Sequence, residues 1–368
     1  MQGMNHIAAL SEIIRTEGAD AMLLTGEVNL IYALGLTAME GQCIILPDDT
    51  AVFITDGRYI ETAQKMLEPA CFQVICRNAA SPASKYLREV FDEKKLRKIM
   101  YEDDVLTVRQ FARMRQQLGC EFLPVGEHIT KLRASKSGEE AAYIEQAQRI
   151  AEAALERLYS ELYTGMTEQE AAARLNYYMA LGGSEKPSFD TILLFGENTS
   201  KPHGVPGTRR LRPGDFVLSD FGAVCHGYHS DMTRTAAYGS ATDEMRQVYD
   251  TVLRAQAAAQ QTARAGIPCC EMHFAAEKVI AEAGYGEYFT HALGHSVGLE
   301  IHEMPVAAAR CEEPLRDGVI MTNEPGIYIA GKFGVRIEDM LMISGDTPRN
   351  LTKFPKEFRV IEVSPADT

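Results

Sequence analysis

At 368 residues the chain exceeds what one hydrophobic core comfortably serves, so two domains are expected. With 46% hydrophobic and 24% charged residues it has a globular composition, which excludes a disordered or fibrous chain. A formal net charge of -14 argues against a nucleic-acid partner, and no apolar run nears the roughly 20 residues that span a bilayer.

The first residues lack a signal-peptide pattern, so a cytoplasmic location is expected. From there, short apolar strands at 21–24, 42–46, 51–54 and 98–101 alternate with helical patterns at 7–15, 59–67, 84–91 and 108–118. A small α/β domain over 1–130 follows. Asp56-Gly57-Arg58-Tyr59 reads as a turn that opens a helix.

A polar connector at 132–138 leads into Ser137-x-x-Glu140, a capping box. Apolar residues at 144, 147, 151, 154, 155 and 158 then mark a long amphipathic helix, the start of a second domain over 131–368. Further helices are expected at 168–181, 244–263 and 271–283, the last stopped by Gly284. Strands are expected at 191–195, 216–219, 233–237, 319–322, 326–329 and 334–343, a largely antiparallel sheet in an α+β arrangement. The eight cysteines form no Cys-x-x-Cys pair and read as reduced, mostly buried thiols.

The chemistry gathers in this second half. Asp220 and Asp231, 11 residues apart around Gly222 and Gly227, suit two strands of a hairpin facing one pocket. His295 stands between Gly294 and Gly298; Glu324 ends a strand before Pro325-Gly326. Glu338 shares a strand face with Arg336 by the period of two. Each residue alone also reads blandly, Glu338 as an ion-pair partner of Arg336 and Asp231 of Arg234. Together, carboxylates in apolar stretches cost kilocalories each unless cations compensate them, which points to a two-metal site. Four carboxylates and one imidazole, without cysteine, suit hard or borderline divalent ions, foremost Mn²⁺ or Co²⁺, with Fe²⁺ or Zn²⁺ as alternatives.

Pro202-His203-Gly204, Asp220-Phe221-Gly222, Ser230-Asp231-Met232-Thr233-Arg234-Thr235, Gly294-His295-x-x-Gly298-x-x-x-His302-Glu303, Glu324-Pro325-Gly326 and Arg336-x-Glu338-Asp339 resemble, in order, the signatures of the pita-bread metallopeptidases. Asn29 to Gly35 and Thr55 to Tyr59 resemble the extra domain of the proline-specific branch, the Xaa-Pro aminopeptidases and Xaa-Pro dipeptidases. The resemblance implies a smaller creatinase-like N-terminal α/β domain, a pita-bread catalytic domain, and a homodimer contacting through the N-terminal part. It implies two divalent ions per subunit, with Asp231 and Glu338 bridging them, Asp220 completing one, and His295 and Glu324 the other. Glu324 would also act as general base toward a metal-activated water.

By the same resemblance, one of His203 and His302 would orient the scissile carbonyl or stabilise the tetrahedral intermediate; the other would assist proton transfer to the leaving imino nitrogen. His291 would contact substrate and Arg336 would orient Glu338 or bind a substrate carboxylate, with a purely supporting role as the alternative for both. Tyr228 and Phe189 are candidates for lining a pocket around the proline ring, although Phe189 reads first as a core residue. Asn323 stands where an aliphatic residue is common, and Phe195 where a small one is frequent. The expected activity is hydrolysis of Xaa-Pro bonds in short peptides or dipeptides. A creatinase-like amidinohydrolase and a non-catalytic binding protein on the same fold are the alternatives.

Overall fold

In the computed structural model, which describes residues 6–78 and 80–363, the chain divides after Arg133 into two compact units. In the first, strands β1 (Ala21–Leu24), β2 (Gln42–Ile45), β3 (Ala51–Thr55), β4 (Phe72–Cys76), β5 (Lys98–Tyr101) and β6 (Glu121–Pro124) form one sheet in the order β4-β3-β2-β1-β5-β6. β1–β2 and β2–β3 are antiparallel, and the remaining pairs parallel. β1 and β3 are buried throughout, as uninterrupted apolar runs require of strands covered on both faces. Four elements escape a periodicity search, one of them the short helix His128–Ala134. The helix Glu27–Leu34 buries Asn29, Leu30, Tyr32, Ala33 and Leu34 on several sides and so carries no single stripe. β4 and β6 are edge strands with exposed positions and no continuous apolar run.

The second unit opens on α1 (Gly138–Glu161), where Ser137 Oγ accepts the Glu140 N–H at 3.2 Å and the Glu140 carboxylate accepts the Ser137 N–H at 2.7 Å. The capping box is formed as its spacing implies. Next come α2 (Glu168–Leu181), β7 (Ile192–Phe195), β8 (Phe216–Phe221), a two-rung hairpin of β9 (Val224–Cys225) and β10 (Tyr228–His229), and β11 (Met232–Tyr238). The helices α3 (Asp243–Thr262) and α4 (Cys269–Glu282) precede β12 (Gly294–Ser296), β13 (Glu303–Ala307), β14 (Ile320–Asn323), β15 (Gly326–Ile329), β16 (Phe333–Arg336), β17 (Asp339–Met342), β18 (Arg349–Asn350) and β19 (Val360–Ile361).

Two sheets result, β19-β11-β8-β7 and β13-β12-β14-β17-β18, with β15–β16 as a separate ribbon. Pairing is antiparallel except for β11–β19. Leu155, Leu158 and Leu175 of α1 and α2 pack on Leu193, Val217 and Met232 of the first sheet. Val252, Met272 and Ile280 of α3 and α4 pack with Met321, Val335 and Leu341.

The single strand expected at 334–343 is two. It breaks at Ile337–Glu338, where β16 leaves its partner β15 and β17 joins β14. Apolar alternation continues across the break, so periodicity does not reveal it. The cysteines are free, but only Cys43, Cys225 and Cys269 are buried; Cys71, Cys120, Cys270 and Cys311 are partly exposed and Cys76 exposed, which corrects the expectation of mostly buried thiols.

Candidate metal centre

β8 delivers Asp220 opposite Thr233 of β11, and Asp231 stands one residue before β11 begins. Gly222 makes the approach possible: a Cβ there would fall 1.8 Å from the Ser230 carbonyl oxygen. The break between β16 and β17 swings Glu338 onto the same spot, its N–H donating to the Thr233 carbonyl at 3.1 Å. Carboxylate oxygens of Asp220, Asp231 and Glu338 all lie within 4.8 Å of one another. From the other sheet, His295 of β12 brings Nε2 to 3.6 Å from Asp231 Oδ2 and 3.5 Å from Glu324 Oε1. The five residues singled out by sequence therefore converge.

Their supports were less legible. Thr233 Oγ1 donates to Glu338 Oε2 at 2.7 Å and receives Arg336 Nε at 3.0 Å, while Thr322 Oγ1 donates to Glu324 Oε1 at 3.0 Å. Arg336 does not partner Glu338: its Nη2 donates to Asp220 Oδ2 at 2.5 Å and its Nη1 to the Tyr328 hydroxyl at 2.7 Å. Nor does Arg234 partner Asp231; it turns away to Asp339, 2.7 Å off. Tyr328, missed by sequence reasoning although it closes the run Glu324 to Tyr328, links Arg336 to His291 Nε2 at 2.9 Å. His291 Nδ1 lies 2.7 Å from the Ala292 carbonyl, which assigns the proton to Nδ1 and leaves Nε2 to accept from Tyr328.

The group lines a cavity of about 390 Å³ with His203, His291, His302, Phe189, Asp190, Ile192, Ile301 and Val306. Phe189 is thus a wall residue rather than core, whereas Phe195 is fully buried. Tyr228 is a correction. It is buried on β10 with its hydroxyl donated to Glu140 at 2.8 Å, outside the cavity lining. His203 rides on the loop after β7, which Glu168 pins from within: this fully buried carboxylate accepts the N–H groups of Phe195 at 2.8 Å and Gly207 at 2.9 Å.

Four carboxylates face one guanidinium, and the imbalance is visible in their proton affinities. Burial, then repulsion from Glu338, Asp220 and Glu324, pushes Asp231 well above the carboxylate range. Burial and the charges of Glu324 and Asp220 do the same to Glu338. Glu324 is raised to about 7 by burial and Asp220, against the opposing pull of Arg336. Burial and the neighbouring His302 lower His295 to about 4, which keeps its imidazole neutral as a ligand must be. Asp231 Oδ1 and Glu338 Oε1 are buried and accept no hydrogen bond from the described residues. Orphaned anionic oxygens beside a neutral imidazole fit divalent cations.

The sign of the resulting pH dependence is fixed. A carboxyl whose folded pKa is raised contributes stability that is complete below its unfolded value and lost as pH rises through the folded value. For Glu324, between the ordinary 4.5 and about 7, the loss is roughly 3 kcal/mol. Chelator-treated protein is therefore expected to melt lower at about pH 8 than at about pH 5, with saturating divalent metal closing the gap and Glu324→Gln narrowing it. A metal-free melting temperature that does not fall over that range counts against this electrostatic picture.

The sequence matches the model of metallopeptidase family M24 over residues 142–345 and that of the creatinase/prolidase N-terminal domain over 6–135. It is 34% identical over 352 residues to an Xaa-Pro dipeptidase of Pyrococcus horikoshii, covering 95% of this chain and 97% of that one. Among solved structures it superposes on an Xaa-Pro dipeptidase from Bacillus anthracis with TM-score 0.91, at 36% identity over 96% of this chain and 98% of the other. An X-Pro aminopeptidase from Thermotoga maritima gives TM-score 0.90 at 32% identity, over 95% and 100%. Fold, site and relatives place the protein among the metallo-exopeptidases. The chain belongs to metallopeptidase family M24, as a pita-bread catalytic domain preceded by a creatinase/prolidase N-terminal domain.

Proposed function

We propose that the protein hydrolyses the Xaa-Pro bond at the N-terminus of short peptides, using two divalent ions held by Asp220, Asp231, His295, Glu324 and Glu338. The observation that carries this reading is the convergence of those five side chains, with two buried carboxylate oxygens that accept no hydrogen bond from the described residues, at one wall of a peptide-sized cavity. Mn²⁺ and Co²⁺ are the expected ions, since an oxygen-rich set with one imidazole suits them. Bound there, the ions supply Lewis acidity toward the scissile carbonyl and the attacking water. Asp231 and Glu338 would be shared between them, Asp220 would hold one, and His295 and Glu324 the other.

Glu324 accepts the proton of the attacking water on its carboxylate. A proline nitrogen within a peptide has no N–H, so it leaves only once a proton is delivered to it. His203 and His302, both on the cavity wall, divide the remaining work: one donates to the carbonyl oxygen as charge develops there, the other passes the proton to the leaving nitrogen. Arg336, buried and bonded to Asp220, Tyr328 and Thr233, holds Asp220 in place. His291 acts with it through Tyr328. A homodimer in the cytoplasm belongs to the same proposal; among the described residues no helix is long and apolar enough to cross a membrane.

The lining favours peptides longer than two residues. Its one guanidinium is spent on internal bonds, and besides His203, His291, His302 and the metal-site residues the walls offer Phe189, Ile192, Ile301, Val306 and the acidic Asp190. A dipeptide's proline carboxylate would meet apolar surface at a desolvation cost, whereas a longer peptide presents a neutral amide there. The test compares Ala-Pro with an Ala-Pro-Xaa tripeptide in Mn²⁺ or Co²⁺. Faster cleavage of the tripeptide is expected. Cleavage of the dipeptide alone would overturn the lining argument, and cleavage of neither would overturn the proline-specific reading. His203→Ala is expected to keep its metal while turnover falls about 100-fold or more; metal loss on elemental analysis would make His203 a ligand instead.

A further inference from the structure

His302 stands on an exposed turn, its ring centroid 4.3 Å from that of His295 at an interplanar angle of 70°. An exposed side chain on a turn takes its position chiefly from the backbone beneath it. Here the anchor is the next residue. Glu303 is buried, and its Oε2 receives the Lys136 ammonium at 2.7 Å, with side-chain exposures of 4% and 1%. Glu303 Oε1 accepts the Glu300 N–H at 3.3 Å, the Gly298 N–H donates to the Glu300 carbonyl at 3.0 Å, and the Gly298 carbonyl accepts the His229 N–H at 2.8 Å. A Cβ at Gly298 would lie 2.5 Å from Glu303 Oε2, so the carboxylate fills the inside of the turn. Lys136 is itself fixed: its N–H donates to the Gly318 carbonyl at 2.8 Å and its Nζ to the Ala134 carbonyl at 3.2 Å.

For stability alone an apolar pair of similar volume would serve as well, because desolvating both charges offsets most of their attraction. What an ion pair adds is direction: the carboxylate must point at one nitrogen, and the turn must follow. We propose that Lys136 and Glu303 are positioning residues whose buried pair locks the turn Gly298–Glu303 so that His302 faces the cavity beside His295. The inference rests on the reading of His302 as a participant in peptide hydrolysis; neither Lys136 nor Glu303 touches substrate.

Two variants of the full chain test it, Lys136→Met and the double change Lys136→Met with Glu303→Gln; the second leaves no buried charge unpaired and keeps the fold testable. In both, kcat on an Ala-Pro tripeptide is expected to fall about 10- to 100-fold, the scale of a misplacement near 1 Å, while KM and bound metal change by less than about twofold. The ring resonances of His302 in the metal-free protein are expected to shift. In a His302→Ala background the same changes are expected to lower kcat by less than about twofold further. Equal losses in both backgrounds, or unmoved His302 resonances, would overturn the proposal. Shifted resonances together with undiminished turnover in His302→Ala would uphold the clamp and refute the catalytic reading of His302.

Discussion

Asp231→Ala and Glu338→Ala are each expected to lower turnover about a thousandfold or more and to release metal, because each carboxylate is shared between two ions in the proposed site. The same variants are expected to behave oppositely once metal is gone. In the metal-free protein these two groups are buried, raised in pKa by burial and by neighbouring carboxylates, and each has an oxygen that accepts no hydrogen bond from the described residues. Removing one relieves repulsion on the rest, so metal-free Asp231→Ala should melt above metal-free wild type near neutral pH, even as it loses metal-dependent stabilisation. A residue that merely completes the core would destabilise both forms. Metal content per subunit and melting curves with and without chelator distinguish the cases. Two ions retained in either variant would remove the bridging assignment.

The second large effect is expected at Asp339, next to the site but outside it. Asp339 is fully buried and accepts from Arg234 Nη2 at 2.7 Å, Gln256 Nε2 at 2.7 Å, Asn350 Nδ2 at 2.8 Å and Lys356 Nζ at 2.6 Å. Although burial opposes it, Arg234 and Lys356 hold its carboxyl below the ordinary range. Asp339→Ala strands the Arg234 guanidinium, itself 2% exposed, with one charge partner gone. Removing one member of such a buried pair costs about 3–5 kcal/mol. Arg234 Nη1 also donates to the Glu338 carbonyl at 2.5 Å, so the loss should reach metal affinity too. Urea unfolding of the metal-free protein, followed by a probe in the C-terminal unit, measures it. A cost below about 1 kcal/mol would show that solvent or neighbouring groups replace the carboxylate.

How much was legible follows from what each signal reports. Ser137-x-x-Glu140 located the start of a 24-residue helix because both halves of a capping box lie within one turn of sequence. The convergence of Asp220, Asp231, His295, Glu324 and Glu338 was legible because carboxylates in apolar strands demand compensation wherever they meet. Partner choice was not. Arg336 and Glu338 alternate correctly for one strand face, but the chain changes sheets between them, and Arg336 reaches Asp220, 116 residues away. Tyr228 lies close in sequence to Asp231, yet its short hairpin carries it to Glu140, 88 residues away. Phe189 misled in the other direction, an aromatic suited to a core but placed on a cavity wall. Periodicity reports the face a residue occupies within its own element; which element lies opposite is a property of topology.

That change of sheets at Ile337–Glu338 has a mechanical consequence. Asp220 and Asp231 come from the β7-β8-β11 side, His295 and Glu324 from the β12-β14 side, and Glu338 from the break between β16 and β17. Cations held by all five would act as a rivet through the seam of the catalytic unit, and without them like charges push its two halves apart. Catalytic competence and the integrity of that seam are then one property, set by the same ions.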